Sequence, residues 1–268
     1  MARPRSLAQK ADKYVCYQQS VQEPEIDVRF AERVFRGIRR RPARSLREDF
    51  SGTSAFSCAW VARHRENTAF AVDLDPEPLV WGRKHNVAAL TPDQQSRIKL
   101  VEGDVRAVGH EPVDITVAYN FSYFLFPTRP AMLEYFRAAR ASLVSDGLLF
   151  LDAYGGGQAM EALTEETARD GFTYVWEQRA FDPISHRGDN HIHFGFPDGS
   201  SLRRAFSYTW RLWTLPEIRE LLAEAGFAES RIYWEGTDHA TGEGNDVFTR
   251  REKAEGDPAW LAHIVALP

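Results

Sequence analysis

The sequence predicts an α/β fold: a doubly wound, mostly parallel sheet of seven strands with a C-terminal antiparallel strand, and an antiparallel β-sheet inserted after the fifth strand. Three observations carry this reading. From residue 25 to about 155, short apolar runs alternate with helical patterns, the order that builds a parallel sheet covered by helices on both faces. Between 172 and 213 apolar and polar residues alternate, with many aromatics, as in half-buried antiparallel strands. From Leu215 the helical pattern returns, and two more strand-like runs follow it.

The 268 residues accordingly divide into three parts. Residues 1–155 hold N-terminal lid helices and the first half of the sheet domain, 156–213 the inserted sheet, and 214–268 the rest of the sheet domain. A hydrophobic content of 43% and an aromatic content of 12% are enough for a sizeable core. No apolar run approaches the roughly 18 residues of a membrane span, and none follows the charged Met-Ala-Arg-Pro-Arg start as a signal peptide requires. Cys16 and Cys58 are too few for a disulfide framework, so the expected setting is the reducing cytoplasm. The net charge of −5 argues against a broad nucleic-acid footprint. One basic cluster, Arg36 to Arg47, reads as a helix C-terminus that favours cations; the alternative is a phosphate patch.

Taken in order, Pro24 suits a helix start, and Ile26, Phe30, Val34, Phe35 and Ile38 give that helix one apolar face. Pro42 stops it. A strand at Ser45–Glu48 then leads through the turn Asp49 to Ser54 into a helix at Ala55–Arg65. A second strand, Ala69–Val72, ends on Asp73. Further strands are expected at Arg97–Val101, Val113–Ala118 and Leu148–Asp152, with helices at Pro76–Asn86 and Thr128–Leu143 between them. The run Leu148 to Leu151 is continuously apolar, as a strand covered on both faces must be. In the insertion, Phe172, Tyr174 and Trp176, then Ile192, Phe194 and Phe196, then Phe206, Tyr208 and Trp210 mark three strands, with a turn at Pro197–Ser200. A helix from Leu215 ends at Gly226, a natural C-cap. Strands at Arg231–Glu235 and Trp260–Leu267 close the chain, and 236–257 reads as a long polar loop.

The chemistry gathers at strand ends. A small-residue turn between strand and helix, followed about 20 residues on by an acid, is half of a nucleotide-binding βαβ unit. Here the turn holds Gly52 and the acid is Asp73, placed to accept from two ribose hydroxyls. Asp104 can accept from an exocyclic amine. Glu48 would repel a pyrophosphate but attract a positively charged amino-acid group. Phe50 and Ser54 also stand where a pyrophosphate site needs glycine. These features favour a cofactor with an ammonium and no phosphate over a dinucleotide.

In these residues the sequence resembles the class I S-adenosylmethionine-dependent methyltransferases, which have a Rossmann-like fold. Their first motif is similar to Glu48-Asp49-Phe50-Ser51-Gly52-Thr53-Ser54, with only the central glycine kept. The second resembles Ala71-Val72-Asp73-Leu74-Asp75, the third Glu102-Gly103-Asp104-Val105, and the fourth Ala118-Tyr119-Asn120-Phe121-Ser122-Tyr123. The likeness implies S-adenosyl-L-methionine as cofactor. Glu48, Gly52, Thr53, Asp73, Leu74, Asp104, Val105 and Asn120 would bind it, with Asp104 and Val105 flanking the adenine. The helix Leu215–Phe227 resembles one found in small-molecule members, and antiparallel inserts of this kind cover the substrate in them. Asp49, Asn120 and Tyr123 are the candidate catalytic residues, Asp49 because it is unusual beside Glu48.

Each residue also has a plainer reading. Asp73 suits a helix cap, Asp104 a turn, and Asn120 and Tyr123 a strand terminus. Tyr14 and Tyr17 either close a lid or simply pack. His186, His191 and His193 lack the partners of a familiar metal site, so no metal is expected. Methyl transfer from a sulfonium is an in-line displacement in which orientation alone supplies roughly 7–11 kcal/mol, so no catalytic triad is required. The expected activity is therefore methyl transfer to a small molecule. Transfer to tRNA or protein, a non-catalytic S-adenosylmethionine-binding protein and an NAD(P)-dependent oxidoreductase are the alternatives. The aromatic insertion at 172–213 suits a lid, a substrate wall or a homodimer interface equally.

Overall fold

The computed structural model describes residues 5–238 and 244–268; the charged start at 1–4 and part of the expected loop, 239–243, lie outside them. Three helices lead: α1 (Leu7–Lys10), α2 (Lys13–Val21) and α3 (Pro24–Arg39). Ser6 and Asp12 cap the first two by accepting backbone N–H groups, and Pro24 occupies the first turn of α3, where an N–H would be unpaired anyway. The alternating half follows as β1 (Ser45–Asp49), α4 (Ala55–Arg63), β2 (Thr68–Asp73), α5 (Pro76–His85), α6 (Pro92–Ser96), β3 (Ile98–Glu102), β4 (Val113–Ala118), α7 (Arg129–Ala141) and β5 (Leu143–Gly155). Then come β6 (Leu163–Arg169), β7 (Phe172–Asp182), β8 (Arg187–Gly195), β9 (Ser201–Arg211), α8 (Leu215–Glu224), β10 (Glu229–Thr237), β11 (Gly244–Arg251) and β12 (Trp260–Leu267).

Among the described residues the main sheet has eight strands, ordered β11-β10-β12-β5-β4-β1-β2-β3. The five from β3 to β5 are parallel, while β12 runs antiparallel to both β5 and β10. The chain builds outward from β1 to β3, then crosses back to lay β4 on the other side of β1. That reversal leaves a crevice at the carboxyl ends of β1 and β4, where ligands of doubly wound sheets bind. The second sheet is the meander β6-β7-β8-β9.

Both faces of the main sheet are buried, and alternation along β5 records it. Leu148 and Phe150 pack with Phe35, Trp60 and Ile115 beneath α3 and α4. Leu149 and Leu151 pack with Met132, Phe136, Ile218 and Leu222 beneath α7 and α8. Three arginines of the basic cluster that follows α3 are paired within the protein itself. Arg41 pairs with Asp114 and Asp146, Arg44 with Glu66, and Arg47 with Asp49.

The expectation of seven strands falls one short. Residues 244–251, read as loop, form the edge strand β11 on β10. Edge strands need no apolar face, and this one is exposed along nearly its whole length. The insertion likewise gains a polar edge strand, β6, beside the three that the aromatics marked.

Candidate active site

The turn after β1 is the floor of the crevice. Its backbone takes left-handed φ at alternate residues: Phe50 at 57°, Gly52 at 50° and Ser54 at 58°. The two positions that lack glycine therefore keep a glycine-type conformation, at a cost of order 1 kcal/mol or more each. Neighbours hold the turn in place. Ser51 N–H donates to the Val72 carbonyl at 2.9 Å, and Gly52 N–H donates to Asp73 Oδ2 at 2.6 Å. Thr53 receives a 2.6 Å bond at its hydroxyl from Gln18 of α2 and a 2.9 Å bond at its carbonyl from Asn86, just past α5. A Cβ on Gly82 of α5 would lie 2.3 Å from the Thr53 oxygen. Only glycine lets α5 pack this closely behind the turn.

Above the turn lies a cavity of about 430 Å³. Its wall is lined by the acids Asp27, Glu48, Asp73 and Asp75 and by one ammonium-bearing residue, Lys13, while the carboxylate of Asp49, also on the wall, turns inward to Arg47. Lys13 is already paired with Glu77 at 2.7 Å. Glu48 is buried at the end of β1; its Oε2 accepts from Ser57 N–H at 2.9 Å and from the Ser57 hydroxyl at 2.5 Å. Burial outweighs those bonds and pushes its carboxyl up to about 8. Asp73 is also raised by burial, although both its oxygens accept backbone N–H groups, of Gly52 and of Asp75. Asp27, on the first turns of α3, is pushed up to about 7 by burial and then by Glu23 and Asp246. It had no sequence signal, because an acid in a first helical turn reads as a partner of the helix dipole.

Asp49 is placed differently from its expected role. It is buried against Arg47, whose Nε donates at 2.6 Å, and it accepts from the Tyr135 hydroxyl at 3.1 Å. Arg47 also donates to the carbonyls of Val105 and Val108. The pair thus ties β1 to the segment after β3. Residues two apart on a strand share a face, so the Arg47–Asp49 pairing was available in the sequence.

The loop after β4 closes the crevice from the other side. Asn120 and Phe121 both take left-handed φ, 57° and 55°, and both donate their N–H groups to Asp152, at 2.6 and 2.9 Å. Asn120 faces the cavity. Tyr123 does not: it is 0% exposed, and its hydroxyl donates to the Asp152 carbonyl at 2.7 Å. This burial removes it from the candidate bases. Leu74, Asp104 and Val105 also stand outside the cavity wall. Leu74 is 69% exposed and Val105 4%, and Asp104 is held below the usual carboxylate range by its bonds to Arg106.

The N-terminal tyrosines and the insertion form the roof. Tyr14 donates to Glu77 at 2.9 Å and packs on Phe206 of β9, as does Tyr17 at 4.8 Å between ring centroids. Behind them lies a second cavity of about 410 Å³ between the two sheets. It shares Tyr17, Asn120, Tyr208 and Trp210 with the first, so the two spaces meet at those four residues. The insertion's histidines are bound within its own sheet, with His193 2.9 Å from Glu177 and His191 2.9 Å from the Ser207 hydroxyl. Among the described residues no group of three or more His, Cys, Asp or Glu is arranged to hold a metal ion. Nor is any helix among them long and apolar enough to cross a membrane.

A doubly wound sheet with its cavity at the strand-order reversal defines a nucleotide-site architecture, and solved structures similar to it narrow the description. The chain has the fold of S-adenosylmethionine-dependent methyltransferases. One from Clostridium acetobutylicum superimposes with a TM-score of 0.66 at 15% identity, covering 95% of this chain and 97% of that one. DesVI from Streptomyces venezuelae gives 0.67 at 14% identity, over 98% and 100%. CalS10, an amino pentose methyltransferase from Micromonospora echinaspora solved with S-adenosylmethionine bound, gives 0.64 at 16% identity, over 97% and 99%. No protein-family model and no curated protein matches the sequence.

Proposed function

We propose that the protein binds S-adenosyl-L-methionine in the crevice above the Asp49–Ser54 turn and transfers its methyl group to a small molecule in the adjoining cavity. The observation that carries this reading is the acidity of the crevice wall: Asp27, Glu48, Asp73 and Asp75 stand against one ammonium that is already paired, and the acids that burial raises give up their protons when a cation binds. Such a wall suits a cofactor bearing an ammonium and a sulfonium, and it opposes a pyrophosphate. A similar chain solved with this cofactor bound, CalS10, supports it, and that protein's amino pentose acceptor supports a small acceptor here.

The cofactor supplies a methyl group on a sulfonium, already activated for in-line displacement. The chain's own residues supply position. Asp73 keeps lone pairs free beside its backbone bonds and receives the ribose hydroxyls. Glu48, Gly52, Thr53 and Asn120 surround the amino-acid end. The adenine lies toward Leu74, beyond the cavity wall, near Asp104 and Val105 but without a direct bond to Asp104, which Arg106 engages. Asn120, which lines both cavities, orients the acceptor against the methyl group. Asp49 fixes the turn through Arg47 and takes no proton.

Calorimetric titration with S-adenosylhomocysteine tests the binding half. Saturable binding is expected, and Asp73→Ala should weaken it by about 1–3 kcal/mol, about fivefold to over a hundredfold. Equal affinity in wild type and variant would return Asp73 to a purely structural role.

A further inference from the structure

The second cavity carries a chemical signature of its own. Its walls are aromatic on both sides: Trp176, Tyr208 and Trp210 from the inserted sheet face Phe121, Tyr154 and Trp260 from the ends of the main sheet. Tyr208 stacks on Trp210 at 4.5 Å between centroids, and Trp176 lies 6.1 Å from the same ring. Among the described residues its wall includes no lysine, arginine or histidine. The charged groups that line it are carboxylates, Glu165 at the exposed rim and Glu235 at the half-buried end. Glu235 is held over Gly244 and accepts the Asp246 N–H at 3.1 Å. A cavity with π-faces and carboxylates attracts cations and gives no counter-charge to a phosphate or a carboxylate.

We infer that the second cavity admits the methyl acceptor as a cation, a compact protonated amine carried on an apolar or ring-shaped body. The body packs against Trp176, Trp260 and the outer side of the Trp210 cluster, whose rings already touch Phe121 and Tyr154 at 6.1 and 6.4 Å between centroids, and the ammonium faces Glu235. Phosphorylated and carboxylate-bearing acceptors are disfavoured by the same charge. The inference rests on the proposed methyl-transfer site for the word acceptor; the charge preference of the cavity stands without it.

The test uses the full chain loaded with S-adenosylhomocysteine, so that the first cavity is filled, and reads tryptophan fluorescence. The probes are 2-phenylethylamine, 2-phenylethanol and 3-phenylpropionate, which share a body and differ in charge. The amine should saturate at least tenfold below the carboxylate, with the alcohol between. Glu235→Gln should cut that preference about fivefold without changing affinity for S-adenosylhomocysteine, and Glu165→Gln should cut it less. Carboxylate binding equal to or tighter than amine binding overturns the inference, as does an amine signal that never saturates. If S-adenosylhomocysteine fails to bind but the unloaded protein keeps the amine preference, the cofactor reading falls and the cavity's charge selectivity stands.

Discussion

Replacing Ser54 by glycine should make the protein more stable, although the side chain removed is fully buried. Ser54 sits at φ 58°, a backbone conformation that costs a residue with a Cβ about 1–2 kcal/mol. Glycine escapes that cost but returns roughly 0.5–1 kcal/mol through the greater freedom of the unfolded chain. The lost hydroxyl matters little, since its contact with Ser51 Oγ is at 3.4 Å, the weak end of hydrogen bonding. The net gain for Ser54→Gly is therefore between zero and about 1.5 kcal/mol. At this chain length each kcal/mol moves Tm by about 2–4 °C. Gly52→Ala is the mirror experiment. A Cβ there meets nothing within 4 Å, so only its φ of 50° opposes the change, and a loss of about 1 kcal/mol is expected. Urea melts followed by far-ultraviolet dichroism measure both. A loss above 1 kcal/mol for Ser54→Gly together with a neutral Gly52→Ala would refute the left-handed turn.

Two further outcomes follow from the site. Asp104→Asn should change S-adenosylhomocysteine affinity less than Asp73→Ala does, because Asp104 is engaged with Arg106 outside the cavity wall; a larger effect in calorimetry would place the adenine on Asp104 directly. Stability should fall as pH rises from 6.5 to 8.5. Burial pushes Glu48 up to about 8 and Asp27 and Asp152 up to about 7, so these groups bind more protons folded than unfolded. Their contribution is full below about pH 4 and is lost as pH climbs through 7 to 8. His263, held down to about 3 by burial, acts in the opposite direction, but only about 0.4 kcal/mol of its effect remains above pH 6.5, and it is complete by about pH 7.5. The expected loss is on the order of 2 kcal/mol, read as a lower urea midpoint at pH 8.5; a flat or rising midpoint contradicts the burial of these acids.

Much of this was legible in the sequence, for identifiable reasons. The parallel strands carry continuous apolar runs because helices cover both faces, and the turn after β1 announces itself by Gly52 and by Asp73 one strand later. The edge strands β6 and β11 were hidden because exposed edges need no apolar pattern. Asp27 was hidden because its neighbours in sequence describe a helix start, whereas its burial depends on what α3 leans against. Asp49 and Tyr123 show the opposite error. A polar residue near a motif looks reactive until its partner, Arg47 or the Asp152 carbonyl, is seen to occupy it. Most informative was the missing glycine pattern. Phe50 and Ser54 suggest an altered turn, yet the backbone keeps the left-handed geometry and bears the strain.

The central claim is tested most directly by incubating the protein with methyl-labelled S-adenosylmethionine and a fractionated small-molecule cell extract. Label should pass to one or a few low-mass cationic metabolites, retained on a cation exchanger. Transfer should be suppressed by S-adenosylhomocysteine and, at subsaturating cofactor, reduced about fivefold or more in Asp73→Ala. If the cofactor binds with normal affinity but no low-mass fraction gains label, methyl transfer is contradicted and the crevice is a binding site only.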